Sequence, residues 1–137
     1  MPDPILCVCT NLKMAARTVG RSYDEKLAPA GINSTQFAIL ANIGRAGEIA
    51  TIALADLLQM ERTTLYRALN ILQRKGLVGS RPGKGREQLL VLTELGVAKH
   101  AQAQPLWDQA QTSYTSHLGP KWPRLLKLLR DAQESPG

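Results

Sequence analysis

The chain has 137 residues, a formal charge of +6 and two cysteines, which bounds it to one modest domain able to bury roughly two-thirds of its unfolded surface. The positive balance favours an anionic partner, and two cysteines are too few for a disulfide scaffold. The opening MPDPILCVC carries an acid and two prolines where an export signal needs positive charge, and its apolar run is too short to span a bilayer; a cytoplasmic protein with no membrane contact is expected.

Ile5, Val8, Leu12, Ala15, Ala16, Val19, Tyr23 and Leu27 recur at three- and four-residue steps, which predicts a long first helix over 5–27. Residues 28–31 break it, and Ser34 offers an N-cap hydroxyl for a second helix running to about Arg45, with Gly44 and Gly47 near its end. Thr51 is the expected cap of a short third helix over 52–58, and Gln59, Met60 and Glu61 lead into a fourth over 62–75 that Gly76 closes. Leu77 and Val78, the polar stretch 79–85 and the apolar run 89–92 read as two strands around a loop. Thr93 caps a long fifth helix through about Leu118, kinked at Pro105, and Gly119 and Pro120 stop it. A sixth helix over 123–133 carries Leu125, Leu126, Leu128, Leu129 and Ala132 on a broad apolar face, and residues 135–137 are expected to fray.

Residues 62–86 hold seven Lys or Arg and no Asp or Glu. In the fourth helix Leu65, Ala68, Leu69 and Leu72 share one face, so Thr63, Arg67, Asn70 and Arg74 occupy the other. Two short helices at a steep angle, the second with such a face, describe a helix-turn-helix that sets its second helix in the DNA major groove. Arg67 can give paired donors to guanine, Asn70 can bond an adenine edge, and the Thr63 and Thr64 hydroxyls can reach base or phosphate. Tyr66, the segment's one aromatic, joins this candidate contact set. In the following hairpin Arg81, Lys84 and Arg86 sit among Gly79, Gly83 and Gly85, a flexible tip able to follow a backbone or enter a minor groove. The bland alternative is a solvated helix surface, and a loop of one sign of charge weighs against it.

The run LADLLQMERTTLYRALNILQRKGLV followed by RPGKGREQLLVLTELG resembles the winged helix-turn-helix of the MarR family of bacterial transcriptional regulators. Residues 27–37 (LAPAGINSTQF) resemble that family's junction into its second helix, and residues 105–111 (PLWDQAQ) its fifth helix. The resemblance implies a mainly α fold, a winged helix-turn-helix lobe over 32–93 with long dimerisation helices at 1–31 and 94–137. It further implies a homodimeric repressor that sets two wings on a near-palindromic duplex site and is released by a small aromatic or phenolic effector. The family's minor-groove arginine corresponds to Arg86, but the acid usually two positions earlier is here Lys84, so a looser wing is expected. Gln59 stands where the family often has glycine; a positive φ there would cost about 1 kcal/mol.

Counting back from Gln36, Cys9 falls where the family's organic-hydroperoxide branch has its sensing cysteine; Tyr23 matches one of the two tyrosines that contact that sulfur, and Lys13 stands at the other position. A thiol-based redox repressor using Cys9 is therefore one alternative. Against it, Cys9 lies about 60° from Leu12 at the edge of the apolar stripe, as a small buried hydrophobe would, and Cys7 points to the far side, away from Cys9. A protein-interaction module on the same fold is the other alternative, disfavoured by the uniformly basic face; RNA binding lacks its stacking aromatics. Trp107, Ala110 and Tyr114 share a helix face and read as core or interface packing, or as the wall of an effector cleft; Trp122 anchors the last helix. His100 and His117 are expected at the surface. No metal-ligand spacing, cofactor motif or catalytic constellation is present, so neither an enzyme nor a metal or cofactor site is expected.

Overall fold

A computed structural model describes residues 6–134 and 136. Six α-helices and three short strands follow in the order α1 (Val8–Leu27), α2 (Ser34–Ala46), β1 (Glu48–Ala50), α3 (Thr51–Leu58), α4 (Arg62–Arg74), β2 (Val78–Pro82), β3 (Gln88–Leu92), α5 (Glu94–Leu118) and α6 (Trp122–Gln133), with 3-10 turns at Ala28–Ala30 and Gly119–Lys121. The expected beginning of the first helix at Ile5 and the fraying of 135 and 137 lie outside the described residues.

Local chemistry sets most of the helix ends. At α1 the N-cap is Cys7, whose Sγ accepts the Thr10 amide at 3.4 Å. Cys7 is therefore outside the helix, which corrects its expected place on the far helical face. At α2 the cap is Asn33 and not Ser34: Asn33 Oδ1 accepts the Gln36 amide at 2.8 Å while Gln36 Oε1 accepts the Asn33 amide at 2.9 Å. This reciprocal box satisfies two orphan donors, and the Ser34 amide goes instead to Asp24 Oδ1 at 2.7 Å. Thr51 likewise does not cap α3; it is the first helical residue, and its hydroxyl donates to the Gln88 carbonyl at 3.5 Å. Thr93 does cap α5, accepting the Gly96 amide at 3.0 Å. The helix then runs on through Pro105 to Leu118.

The strands form one antiparallel sheet in the order β1-β3-β2. Glu48 pairs with Val91 across β1 and β3, and Val78 with Leu92 across β2 and β3. Strand β1 was not anticipated, because three residues are too few to show alternation. Beneath the sheet lies the core of the lobe, with Ile39, Leu40 and Ile43 of α2, Leu54 of α3, Leu65 and Leu72 of α4 and Leu90 of β3 fully buried. Each such side chain stabilises the fold by about 1.5–3 kcal/mol through burial.

The terminal arms are built differently. Leu27 is the single buried residue of α1, and α6 has none. Leu12, Val19, Tyr114, Leu118, Leu125 and Leu129 line an apolar groove of about 560 Å³ between α1, α5 and α6. Among the described residues no helix is long and apolar enough to cross a membrane.

Candidate nucleic-acid interface

The α3–α4 link is three residues long, and it turns sharply because Gln59 adopts φ 52, the left-handed region. The Gln59 and Met60 amides close it by donating to the Asp56 and Ala55 carbonyls at 3.2 and 2.9 Å. A non-glycine residue in that region costs about 1–2 kcal/mol, and the Gln59 Nε2 bond to the Asp56 carbonyl at 2.8 Å offsets part of it. The departure foreseen at this position is thus a real left-handed turn that glutamine tolerates.

Beyond the turn, α4 buries Leu65, Leu69 and Leu72 and leaves Thr63, Thr64, Tyr66, Arg67, Asn70 and Arg74 exposed. The sequence period assigns these faces correctly, with one addition: Ile71 is also exposed, so the outer face is not wholly polar. No side chain caps the start of α4, which leaves its first amides open to an anion.

The wing is the β2–β3 hairpin. Its tip closes through the Gly83 amide to the Glu87 carbonyl at 2.9 Å and the Glu87 amide to the Lys84 carbonyl at 3.1 Å, and Gly85 supplies the required φ of 62. Lys84 and Arg86 are exposed. The tip leans on the helix-turn-helix: Lys84, Arg86, Gln88, Thr51 and Tyr66 line a cleft of about 350 Å³. A second groove of about 180 Å³ places Asn70 and Tyr66 beside Ser80 and Gln88. Helix face and hairpin thus meet in two grooves that share Thr51, Tyr66 and Gln88, one holding Lys84, Arg86 and the acid Glu87 and the other Asn70. Thr63, Thr64, Arg67 and Arg74 are exposed on α4 but line neither groove.

Arg81 carries an ion pair that the sequence reading did not include. Its Nη2 donates to Glu48 Oε2 on β1, so the fold carries an acid onto a surface that is free of acids along the sequence from 62 to 86. Nothing local in the sequence signals this pair, since Glu48 belongs to the strand that was not anticipated.

Two further regions sit between lobe and arms. Ser34, Asn42, Arg45, His100, Gln104 and Trp107 help to line a cavity of about 590 Å³ between α2, β3 and α5. His100, expected at the surface, instead stacks on Phe37 with ring centroids 5.2 Å apart, and its buried Nε2 has no hydrogen-bond partner. Trp107 stacks on the same ring at 5.6 Å. On α1, Tyr23 donates to Gln111 Oε1 at 2.6 Å and stacks on Tyr114 at 5.9 Å. Burial, and then the neighbouring Tyr114, raise the Tyr23 phenol above its ordinary pKa.

Cys7 and Cys9 are both exposed free thiols, so the buried-hydrophobe reading of Cys9 does not hold within one chain. Hydrogen bonds from Thr10 lower the pKa of Cys7. Tyr23 lies about 21 Å along the helix from Cys9 at 1.5 Å per residue, so it does not reach that sulfur within the same chain. Among the described residues no group of three His, Cys, Asp or Glu could hold a metal ion.

Residues 30–87, the turn after α1 through the wing tip, match the sequence pattern of the MarR family. The chain is similar to the M. tuberculosis transcriptional regulator MosR, solved in complex with DNA, at 37% identity over 93% of this chain and 96% of that one, with a TM-score of 0.82. It also resembles a cysteine-to-serine mutant of E. coli MarR complexed with operator DNA, at 26% identity over 91% of both chains and a TM-score of 0.79. An uncharacterized HTH-type transcriptional regulator of Bacillus subtilis (strain 168), YwoH, is 28% identical over 92 residues, which is 66% of this chain and 67% of that protein.

Proposed function

The chain belongs to the MarR family of transcriptional regulators, and we propose that it binds a near-palindromic duplex DNA site as a homodimer and represses transcription from it. The observation that carries this reading is the joined surface of α4 and wing, where Tyr66 stands beside Lys84 and Arg86 in one groove and beside Asn70 in the next. The relatives crystallised with DNA support it. Arg67 and Asn70 read base edges in the major groove, Thr63 and Thr64 reach base or phosphate, and Arg74, Lys84 and Arg86 engage the backbone and the adjacent minor groove. In this reading residues 32–93 make up the DNA lobe, and the described residues of 1–31 and 94–137 make up the dimerisation arms. A two-fold protein asks for two half-sites about one helical turn apart.

Release by a small aromatic or phenolic acid fits the cavity between α2, β3 and α5. Trp107 offers a ring to stack on, Arg45 a positive charge, and His100 Nε2 an unsatisfied polar atom. Selection of bound duplexes from a random pool, repeated with phenolic acids present, tests both parts. An inverted repeat whose recovery falls with the acid is expected; recovery of no preferred sequence would refute the regulator reading.

A second reading is favoured by the Cys7 thiol, which is exposed and more readily ionised than an ordinary cysteine. In it, oxidation in the Cys7–Cys9 segment at the start of α1 loosens the DNA complex. Stoichiometric peroxide added to the complex should then lower affinity, and unchanged affinity would remove this reading while leaving the first intact.

A further inference from the structure

Three cations rise from the wing, and one of them is already occupied. Arg81 on β2 is opposite Leu89, and Glu48 on β1 is opposite Val91. Residues two apart on a strand share a face, so both side chains leave the same side of the sheet, with β3 between them. Gly79, opposite Val91 on that face, contributes no side chain to the path. The guanidinium crosses β3 and donates to the Glu48 carboxylate. This is the one ion pair among the described residues, so Lys84 and Arg86 have no such partner.

The side chains of the pair are 57% and 45% exposed, and an ion pair so open to solvent stabilises a fold very little. What it changes is which charges are on offer to phosphate. Duplex binding without sequence preference grows with the number of phosphates neutralised, through release of condensed counterions. A guanidinium held by a carboxylate is part of a pair of no net charge and neutralises none. Lys84 occupies the position of the acid that, by the family resemblance, orients Arg86, and the acid from β1 holds a different arginine, Arg81.

Granted the DNA-binding reading above, we propose that Glu48 is a positioning residue that holds Arg81 across the sheet and keeps it out of the phosphate contacts, so that Lys84 and Arg86 alone serve the wing. Removing Glu48 therefore strengthens binding to arbitrary duplex, and removing Arg81 takes away no phosphate contact. Both results are contrary to what a bare count of wing cations would give.

The test is a salt titration of the full chain on mixed-sequence duplex DNA, comparing the wild type with Glu48→Gln, Arg81→Gln and the double variant. Arg81→Gln is expected to keep the wild-type slope of log affinity against log salt. Glu48→Gln should bind tighter at low salt with a slope steeper by about 1.8, one added phosphate contact from each protomer of the proposed homodimer at about 0.9 apiece, and the double variant should return to the wild-type slope. A slope flattened by Arg81→Gln alone would overturn the proposal, because Arg81 would then already touch phosphate. So would an unmoved slope in Glu48→Gln, or a gain that survives in the double variant, which would mean that Glu48 acts without Arg81. A wild type that fails to bind, or binds with no salt dependence, sinks the DNA reading and this proposal with it. A steep wild-type slope with inert Glu48 removes only the role of the pair.

Discussion

At Gly96 the start of α5 presses on the end of the α4–β2 link, and there is no room for a methyl group. A Cβ there would lie 2.0 Å from the Leu77 carbonyl oxygen and 3.0 Å from its carbon, and that oxygen also accepts the Thr93 amide at 3.2 Å. The obstacle is backbone, which cannot swing aside as a side chain can, so Gly96→Ala should destabilise by about 1–3 kcal/mol, the usual cost of overpacking. A urea melt reads this directly, and an unchanged midpoint would mean that the two segments separate freely. At Cys7 the controlling atoms belong to Thr10, whose hydrogen bonds stabilise the thiolate and lower the pKa. More thiolate at neutral pH means faster alkylation. The iodoacetamide rate of Cys7 should therefore rise with a midpoint below that of an ordinary thiol, and Thr10→Ala should move the midpoint upward. A midpoint indifferent to Thr10→Ala would show that the Thr10 hydroxyl does not act on this sulfur, since alanine keeps the backbone amide of the N-cap bond.

In the proposed DNA complex helix α4 reads bases and the wing holds the backbone, and substitutions separate the two. Arg67→Ala is expected to cost about 1–3 kcal/mol at the selected site and to relax preference at one base pair, as loss of a bidentate base contact does. Arg86→Ala should weaken cognate and arbitrary duplexes alike, because phosphate and minor-groove contacts carry little sequence information. Binding curves on both duplexes check this, and equal losses for Arg67→Ala would make Arg67 a phosphate anchor. The exposed face of α4 was legible in the sequence, because buried Leu65, Leu69 and Leu72 follow the helical period and fix the opposite side. Caps built on local chemistry were legible too, as at Thr93 and at Gly76 with its φ of 74. The Asn33 cap could have been found from Gln36, three residues on, which completes the reciprocal box. What stayed hidden depends on distant partners. Strand β1 exists because β3 pairs with it, Arg81 is held by that strand, and His100 is covered by the ring of Phe37.

The molecule as a whole has a well-packed lobe and arms that are not packed to the same standard. Leu65, Leu72 and Leu90 are fully buried within one chain, whereas Leu12 is 39% and Leu128 55% exposed and α6 buries nothing completely. Apolar surface of this extent in contact with water marks a site of association, and the groove between α1, α5 and α6 presents such a surface. A second copy is the proposed occupant, since two wings on one duplex bind as linked sites, and linkage raises avidity by about 10²–10⁴-fold without a new contact. Leu125→Glu and Leu129→Glu, which place a charge on the groove wall, should therefore shift the protein to a monomer in sedimentation. They should also weaken binding to the selected palindrome by at least tenfold, one decade being about 1.4 kcal/mol. Binding to a single half-site should change little, because neither leucine belongs to the lobe core, and circular dichroism should show the helices intact. A wild type that sediments as a monomer, or a double variant that stays dimeric, would assign the groove to some other ligand and leave the two wings without the symmetry that the palindrome requires.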